Sequence, residues 1–383
     1  KTRSISNKIT IVAGGPHIHF MAEDFLQNCP AADFAVRGEG EETFAELIEC
    51  ILDGSDPNNV LGICYRRKDD NRILTTPDRS FIANLDNLPM PAWHLLPMDK
   101  YRAPHVLKGV KPFTIIMTSR GCPFKCSFCS LSLVGGRKQR RRSPENVINE
   151  ITELKEKYHI RALRIEDDLF TLNADWAGKI CDEMIKRGLN NIQWEANCRI
   201  GTLNEQLLHK MKRAGCVSIA FGIEFGNQRI LDEAEKQIQL KDVRPTVKLI
   251  REAGLKSKGF FMLGYPTETR DTVLETIQLA ITCGINYAVF SLVTPFPGTK
   301  LFRYCEDNGL LVHKDWEHYQ FGFSGKRPFR IPAISESELK SLYDMAVKKF
   351  HFAPRQLLYF LTHHTMLMIR LAFTRIFSRN APY

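Results

Sequence analysis

The sequence predicts a protein of the α/β class built on a parallel sheet, and three observations support this prediction. From Thr114 onward, strand-like and helix-like segments alternate through six strand and helix units, which favours parallel strands joined by right-handed crossovers. The segment Lys8–Ala13 has the composition of a buried strand and runs into a Gly-Gly-Pro-His turn at 14–17. The run Ser-Pro-Glu at 143–145 is a typical helix start, with an N-cap, a proline in the first turn and an acidic residue beside it.

The first part of the chain predicts a small α/β region. After the first strand we expect a helix from about Met21, a second strand at Asp33–Arg37 and an amphipathic helix at Thr43–Leu52. Three prolines, at positions 89, 91 and 97, then disfavour a regular helix and predict an extended linker. We therefore expect four parts: an α/β region at 1–83, a linker at 84–107, a catalytic domain at 108–330 and a helical C-terminal extension at 331–383.

The catalytic domain contains the six strands of the predicted sheet. These are expected at Thr114–Thr118, Ala162–Ile165, Ile192–Asn197, Val217–Gly222, Gly259–Leu263 and Tyr287–Val293. Helices are expected between them, from 143, near 174, from 204, after 227, at 241–253 and at 269–282. In such folds the chemistry gathers at the carboxyl ends of the strands.

Composition excludes several classes of protein. The 383 residues are 44% hydrophobic and 25% charged, which is typical of a globular chain of two or three domains. Eleven cysteines without a signal peptide indicate a reducing compartment, so we expect a cytoplasmic protein. The formal charge of +10 attracts anions but does not by itself indicate nucleic acid, and no nucleic-acid partner is expected. Because the chain opens on Lys1 rather than methionine, we expect a fragment of a longer protein.

The strongest chemical signal is the spacing C-x3-C-x2-C formed by Cys122, Cys126 and Cys129 directly after the first predicted strand of the domain. Three thiolates on one short loop favour a metal centre, and a four-iron cluster held by three cysteines leaves one iron free for a small molecule. Structural zinc would normally show a second C-x2-C pair, and a ferredoxin would bring a fourth cysteine. The next cysteine, Cys181, lies far downstream in a helical pattern.

This spacing resembles the signature of the radical SAM superfamily, and the six units resemble its open (β/α)6 barrel. The resemblance implies a 4Fe-4S cluster on the three cysteines, S-adenosylmethionine (SAM) bound to the open iron, and reductive cleavage of SAM to a 5'-deoxyadenosyl radical. It also implies a small-molecule substrate and a one-electron reductant of the flavodoxin or ferredoxin type.

Further motifs at the strand ends resemble the cobalamin-associated branch of this superfamily, which contains class B methyltransferases and anaerobic magnesium-protoporphyrin monomethyl ester cyclases. The resemblance implies SAM contacts from Phe128, Asp168, Arg199, Gly222, Glu224, Gly264, Pro297 and Gly298. Each has a simpler alternative. Asp168 could be a helix N-cap, Arg199 a surface salt bridge, and the glycines and proline plain turn residues.

The region 1–83 resembles the last part of the cobalamin-binding domain of that branch. Gly14 and Gly15 would let the backbone approach a bulky cofactor closely, and the resemblance therefore implies cobalamin as a further cofactor. The branch's D-x-H-x-x-G motif would lie before Lys1, and His17 and His19, which do not match it, are expected to be ordinary loop residues. Two predicted strands are too few to enclose a corrin ring.

Two other segments have open interpretations. The basic run at 137–142 is expected to be a solvated loop, with an alternative in which Arg140 and Arg141 receive an anionic substrate or an acidic reductant. The helical stretch Ser335–Phe377 is expected to pack on the barrel. Its apolar part, from Arg355, could instead lie on a membrane as a peripheral amphipathic helix.

The sequence thus predicts a radical SAM enzyme that methylates an unactivated carbon. The alternative within the same branch is a radical cyclase or rearrangement enzyme. The alternative from a different class is a non-catalytic iron–sulfur protein for electron transfer or regulation. No residue of the sequence names the substrate.

Overall fold

A computed structural model of the chain describes residues 5–6, 8–103, 107, 109–313, 315–320 and 326–363. Twelve strands lie in this described part: β1 (Val12–Ala13), β2 (Phe34–Val36), β3 (Ile63–Arg66), β4 (Ile73–Thr75), β5 (Phe113–Ile116), β6 (Ser119–Arg120), β7 (Arg140–Arg141), β8 (Ala162–Ile165), β9 (Gln193–Cys198), β10 (Cys216–Glu224), β11 (Lys256–Leu263) and β12 (Tyr287–Leu292). They form a four-stranded, a six-stranded and a two-stranded sheet.

The helices of the described part surround these sheets. They are α1 (Pro16–Asn28), α2 (Gly40–Asp53), α3 (Leu131–Val134), α4 (Pro144–Tyr158), α5 (Ala174–Lys186), α6 (Glu205–Arg213), α7 (Gln228–Glu233), α8 (Val243–Glu252), α9 (Arg270–Thr282), α10 (Lys300–Asp307), α11 (Glu336–His351) and α12 (Pro354–His363). The predicted start of α4 is confirmed, since Ser143 accepts a hydrogen bond from the backbone N–H of Asn146 at 3.1 Å and Pro144 opens the helix.

The N-terminal sheet has the order β1-β2-β3-β4, with β1 and β2 parallel and the other pairs antiparallel. The prediction of two strands here is wrong, because the short hairpin β3–β4 adds two more. Strand β1 is also much shorter than the predicted Lys8–Ala13. The helices α1 and α2 pack on this sheet, with Leu26 and Leu47 fully buried in its two small cores.

The linker is more regular than the extended segment predicted from its prolines. It contains three short 3-10 turns, at Leu85–Asn87, Trp93–Leu95 and Met98–Lys100. Trp93 and Met98 are buried in the main hydrophobic core, so the linker is packed against the central sheet.

The central sheet has the order β12-β11-β10-β9-β8-β5, and all five pairings are parallel. Strands β5 and β12 do not pair with each other, so this is an open, partial (β/α)6 barrel, as predicted. Side chains alternate across each strand. On β9, Trp194 and Ala196 belong to the core beneath the helices, which places Glu195 and Asn197 on the barrel interior.

The amino end of the barrel is closed by an apolar plug. It consists of Phe113, Ala162 and Val217 from the strands, together with Ala103 and Leu107 from the end of the linker and Val110 just after it. Because the plug closes the bottom of the barrel, the space above it is reached from the carboxyl ends of the strands or from the open side.

The C-terminal extension packs on the barrel through α11, whose Leu339, Leu342 and Phe350 are buried in the main core. Within the described residues, no helix has the length and apolar character needed to cross a membrane. Most of the segment Arg355–Phe377, for which a membrane contact is the alternative, lies outside the described residues, because these end at His363. The predicted domain limits at 83, 107 and 330 stay predictions.

Candidate metal centre and adjoining site

The loop that carries the three cysteines, residues 121–130, is anchored at its start by the two-stranded sheet of β6 and β7. Gly121 has φ +94°, and a Cβ at this position would lie 2.5 Å from the carbonyl oxygen of Lys138. Only glycine fits here without moving backbone. The N–H of Cys122 then donates to the carbonyl oxygen of Gly136 at 3.0 Å. The first cysteine is therefore held by main-chain contacts on both sides.

Ser127 anchors the middle of the loop to the strand ends on the far side of the barrel. Its N–H donates to the carbonyl oxygen of Ala234 at 2.9 Å, and its own carbonyl oxygen accepts from the N–H of Leu301 at 2.9 Å. Its hydroxyl lies 3.0 Å from the hydroxyl of Tyr265. The loop thus spans the mouth of the barrel between its first and last strands.

Cys122, Cys126 and Cys129 are half-buried free thiols. Burial raises the pKa of Cys122, and it raises the pKa of Cys129 to about 11. Within the described residues, no three His, Cys, Asp or Glu side chains converge on one metal position. A four-iron cluster binds each thiolate to a different iron, so its ligands need not meet at one ion. Three neighbouring soft donors on a fixed loop fit such a cluster.

Asp168 and Arg199 lie on the barrel side of this loop. Asp168 accepts a hydrogen bond from the N–H of Gly121 at 3.2 Å, and its burial raises its pKa. The guanidinium of Arg199 stacks on the ring of Phe124, 3.6 Å from the ring centroid, and donates to the carbonyl oxygen of Gln237 at 3.2 Å. Arg199 is 5% exposed, so the alternative of a surface salt bridge is wrong.

Gly222 and Glu224 lie at the carboxyl end of β10. Glu224 has φ +68°, and its Oε1 pairs with the Nζ of Lys236 at 2.7 Å. An ideal Cβ on Gly222 would lie 2.0 Å from that carboxylate oxygen, so the side chain of Glu224 folds over the glycine. The Nζ of Lys236 also lies 5.8 Å from the ring centroid of Phe128, which belongs to the cysteine loop. Gly222 and Glu224 therefore lie beside this loop.

The backbone angle and the packing at position 264 both require a glycine. Its φ is +93°, and a Cβ would lie 2.9 Å from Cδ1 of Ile331 and 3.1 Å from Leu339, both in the C-terminal extension. Its N–H donates to the buried carboxylate of Glu268 at 2.6 Å. Close packing and this turn account for the glycine without a cofactor, so its predicted SAM contact stays a prediction.

Pro297 and Gly298 form the turn before α10. Gly298 lines a cavity of about 140 Å³ together with Cys126 and Cys129. A Cβ at position 298 would lie 2.5 Å from the ring of Phe20 in α1, so this turn also meets the N-terminal region.

The basic run at 137–142 is only in part the solvated loop that its composition predicts, since Arg137, Lys138 and Arg141 are exposed but the other two basic residues are paired. Arg140 and Arg141 form β7, and Arg140 pairs with Glu39 at 2.7 Å, where both side chains are less than a tenth exposed. Arg142 is paired with the buried Glu150. The charges of Arg140 and Arg142 are therefore neutralised inside the protein, whereas the other three basic residues of the run are exposed.

Glu39, at the start of α2, also pairs with Arg120 at 3.0 Å. The carboxylate accepts in addition from the N–H of Ile82 at 2.8 Å. This arrangement of Glu39, Arg120 and Arg140, the interdomain ion-pair network, joins the N-terminal region to the strands that anchor the cysteine loop.

The comparison with known proteins agrees with this geometry. Residues 116–280 match the family model described as the radical SAM superfamily, and residues 1–48 match the B12 binding domain. The chain is 37% identical over 370 residues to an uncharacterized methyltransferase of Pyrococcus horikoshii, a match that covers 97% of this chain and 78% of that protein. The chain belongs to the radical SAM superfamily. It is therefore an enzyme that uses a 4Fe-4S cluster and SAM, and the B12-binding match supports cobalamin.

Other relatives of this radical SAM protein include both kinds of enzyme that the sequence suggested. It is 31% identical to the anaerobic magnesium-protoporphyrin IX monomethyl ester cyclase of Rubrivivax gelatinosus, over 83% of this chain and 57% of that protein. It is 28% identical to the cytidylyl-2-hydroxyethylphosphonate methyltransferase of Streptomyces wedmorensis, over 78% of this chain and 61% of that protein. The chain thus spans about three-fifths of the length of these two relatives.

A solved structure shares the fold of this radical SAM protein. The radical SAM methyltransferase TsrM from Kitasatospora setae, with cobalamin and a [4Fe-4S] cluster bound, superposes with a TM-score of 0.68 over 90% of this chain and 71% of that one. The sequence identity is 17%, so this likeness shows the fold alone.

Near the predicted cobalamin position, Gly14 and Gly15 follow β1. Gly15 has φ +104° and precedes α1, and the space around its ideal Cβ is open. His17 and His19 lie inside α1, so their interpretation as loop residues is wrong. His19 accepts at Nδ1 from the N–H of Gly38 at 3.0 Å, and burial lowers its pKa.

Sequence reasoning missed several residues that shape this radical SAM site. Lys236 lies outside every motif, and only the fold brings it to Glu224. Asp167, beside the predicted Asp168, is fully buried and accepts from the backbone N–H and the hydroxyl of Thr118, each at 2.6 Å. Burial raises the pKa of Asp167 to about 6. Of the two adjacent carboxylates, Asp167 therefore joins β5 to the β8 loop, while Asp168 lies near Cys122.

Proposed function

We propose that this radical SAM enzyme methylates an unactivated carbon of a small molecule, with cobalamin as its third cofactor. The observation that carries the proposal is the contact between the two matched regions of the chain. The B12-binding match includes Glu39, which pairs with Arg120 and Arg140 next to the cysteine loop. It also includes Phe20, which packs on Gly298 beside Cys126 and Cys129. A cofactor held by the first region would therefore face the metal centre.

Different residues of the chain would bind the cluster and SAM. Cys122, Cys126 and Cys129 would hold the cluster. Asp168 and Arg199 would bind the amino and carboxylate groups of SAM, because the two side chains offer an acceptor and a charged donor close to Cys122. When bound, the cluster and SAM supply the one-electron chemistry that abstracts hydrogen from an unreactive carbon.

The nucleoside part of SAM would lie along the later strand ends. Gly222 makes room for the side chain of Glu224, whose carboxylate would accept from ribose hydroxyls, and Phe128 offers a ring face near the adenine. Gly264, Pro297 and Gly298 would contribute main-chain groups, as the resemblance implies. The closed amino end of the barrel would keep bulk water away from the reacting carbon.

The electron donor is proposed to be an acidic one-electron protein, of the flavodoxin or ferredoxin type, that docks beside the cluster. The cavity lined by Cys126 and Cys129 is also lined by four cationic side chains: Lys125, Arg137, Lys300 and Arg303. All four are exposed, and we call them the basic surface. It replaces Arg140 as the predicted docking position, because Arg140 is buried in an ion pair. Charge complementarity favours an acidic partner and speeds encounter.

A radical cyclisation is the second candidate, because a magnesium-protoporphyrin cyclase is among the relatives. Methylation and cyclisation differ in the fate of the SAM methyl group, which enters the product only in the first case. Cytoplasmic location and a peripheral membrane contact near the C-terminus stay predictions.

The decisive experiment reconstitutes the chain with iron and sulfide under argon and adds hydroxocobalamin, a reductant and SAM with a deuterated methyl group. We expect about four irons per chain, 5'-deoxyadenosine, and a product that carries the label. Cys122→Ser should lose the cluster, whereas Cys29→Ser, at a half-exposed cysteine outside the loop, should retain it. Formation of 5'-deoxyadenosine with an unlabelled, oxidised product would contradict methylation and favour cyclisation.

A further inference from the structure

The interior of the barrel contains four charged side chains that the proposed SAM site does not use. Arg164 and Glu166 belong to the β8 strand and the residue after it, Glu195 to β9 and Lys258 to β11. We call them the interior charged cluster. In the register of the sheet Glu195 is level with Arg164 and Ser218, whereas Lys258 is level with Ala220, two residues closer to the carboxyl ends. The cluster therefore lies above the apolar plug and below the strand ends that carry the SAM candidates.

Arg164 is already engaged inside this cluster. It pairs with Glu166, and its Nε lies 3.5 Å from Oε1 of Glu195. Its guanidinium also donates to Oδ1 of Asn197 at 3.4 Å. The guanidinium of Arg164 is therefore shared between two carboxylates and one amide oxygen.

Glu195 has unmet hydrogen-bonding capacity. It is 1% exposed, and neither of its carboxylate oxygens accepts a hydrogen bond from the described residues. Ser218, which is opposite Glu195 in the register of β9 and β10, is fully buried, and its hydroxyl likewise has no partner among the described residues. A buried polar group without a partner costs about 1–3 kcal/mol, so such groups in a folded protein indicate a missing donor or acceptor.

Lys258 is a buried cation that lacks a close ion pair. It is 2% exposed, and among the described residues its ammonium forms no hydrogen bond and no ion pair within 4 Å, although Glu195 and Glu166 attract its charge from farther away. Its Nζ lies 5.5 Å from the ring centroid of Phe260, two residues closer to the carboxyl end of β11. The ammonium is therefore directed toward the mouth of the barrel. Burial lowers its pKa, and the attraction of the more distant Glu195 and Glu166 only partly opposes this shift.

Small side chains line part of the barrel interior beside the cluster. Strand β10 presents Ser218 and Ala220 to the interior, because Ile219 and Phe221 face the helices, while the carboxylate of Glu224 covers Gly222 above them. On the open side of the barrel, Ile115 is 48% and Met117 is 47% exposed. A substrate could therefore place an apolar part against the β5 side and a polar end on the cluster.

We propose that the substrate of this enzyme carries an anionic oxygen group, a carboxylate or a phosphoryl group, that binds Lys258, and an N–H or O–H donor that binds Glu195. This inference rests on the proposed function and adds the chemical class of the substrate. Lys258 is the one cation of the interior charged cluster without an ion pair within 4 Å, and Glu195 provides acceptors to which no residue of the described part donates a hydrogen bond.

The test works without an identified substrate. A metabolite extract of the native host is separated on an anion-exchange resin, and each fraction is incubated with the reconstituted chain, hydroxocobalamin, a reductant and SAM with a deuterated methyl group. We expect labelled product only from the retained, anionic fraction. Phosphatase treatment of that fraction before incubation abolishes the label if the group is a phosphomonoester and leaves it if the group is a carboxylate.

Variants of Lys258 then test its role in binding the substrate. Lys258→Met should raise the KM for the retained substrate about ten-fold to a hundred-fold, the value of a hydrogen bond to a charged group, while Lys258→Arg restores most of the affinity. Lys248→Met, at an exposed lysine of α8, is the matched control and should leave KM unchanged. Circular dichroism checks that each variant is folded.

The outcomes separate this inference from the proposed function. Label that appears only in the unretained fraction, or a Lys258→Met enzyme with the KM of the wild type, would overturn the inference and leave methylation intact. Cleavage of SAM without label transfer in any fraction would instead overturn the proposed methylation, and the inference with it.

Discussion

The Nζ of Lys236 lies 2.7 Å from Oε1 of Glu224, and the two side chains are only 9% and 11% exposed. An ion pair at this depth is costly to break, because removal of one partner leaves the other charge buried and unpaired. The pair cannot be predicted from the sequence, because Glu224 ends β10 whereas Lys236 follows the next helix, α7.

Lys236→Met is expected to lower the free energy of unfolding by about 3–5 kcal/mol, the usual cost of an unpaired buried charge. Urea denaturation of the metal-free chain measures it. Lys186→Met, which breaks an exposed pair with Glu183, should cost less than about 1 kcal/mol and is the control. Equal losses in the two variants would mean that the buried pair is not what stabilises this strand end.

The interdomain ion-pair network should hold the N-terminal region against the cysteine loop. Glu39→Gln is expected to lower stability by about 2 kcal/mol, because the negative charge that pairs with Arg120 and Arg140 is lost and the amide keeps only one acceptor oxygen. Hydrogen exchange should increase at Ile82, whose N–H donates to this carboxylate, and around Arg140.

The same variant has a pH signature. Burial raises the pKa of Glu39, but the hydrogen bonds from Arg140, Ile82 and Arg120 outweigh it, so the net pKa lies below the usual 4.5. The stabilisation is present above pH 4.5 and is lost as the pH falls through the lowered pKa. The difference in stability between wild type and Glu39→Gln should therefore shrink in acid. Glu153→Gln, in the exposed pair with Lys157, is the matched control for the loss of a surface carboxylate.

The basic surface should control reduction by a protein donor. The triple charge reversal Lys125→Glu, Arg137→Glu and Arg303→Glu is expected to slow cluster reduction by an acidic flavodoxin about ten-fold or more and to flatten its dependence on salt. Reduction by dithionite, which needs no docking surface, should change far less. A triple reversal on the outer helices, at the exposed Lys157, Lys186 and Lys248, provides the matched change in charge. A slower reaction in both triple variants would exclude a specific docking surface.

Glu268 should make the protein less stable as the pH rises. Burial raises its pKa from 4.5 to about 7, although the N–H groups of Tyr265 and Gly264 act in the opposite direction. The folded state binds the proton more tightly than the unfolded state, so stability is highest below pH 4.5 and falls as the pH rises to about 7.

Glu268→Gln removes this titration while keeping an acceptor for the two N–H groups. The stability of the wild type relative to the variant should fall by roughly 3 kcal/mol across that range. Urea midpoints of both proteins, measured in parallel along the pH series, give the difference. A constant difference would show that Glu268 is ionised throughout.

The sequence was sufficient for the features that depend on local pattern. Strand β8 was predicted residue for residue, and α9 within one residue, because apolar runs and the cap at Thr269 mark their ends. The cysteine spacing identified the loop without any tertiary information. These signals are local and strong, so long-range packing does not alter them.

Features that depend on tertiary contacts were not predictable. The hairpin β3–β4 has polar and charged residues in its turn and strands of only four and three residues, too short for a clear alternation. The basic composition around Arg140 suggested solvent, but Glu39, about a hundred residues earlier, neutralises it inside the protein. The burial and the ion-pair partner of a single charged residue depend on distant segments of the chain, so local sequence does not predict them.

Because Phe20 packs against Gly298, substitutions in α1 and in the turn before α10 should depend on each other. A methyl group at position 298 would overlap the phenylalanine ring, so neither residue can enlarge unless the other gives way. Swapping the leading segment for that of a relative should therefore succeed only when the turn before α10 is swapped with it. Families assembled by recombination of such halves would show matched pairs at these two positions.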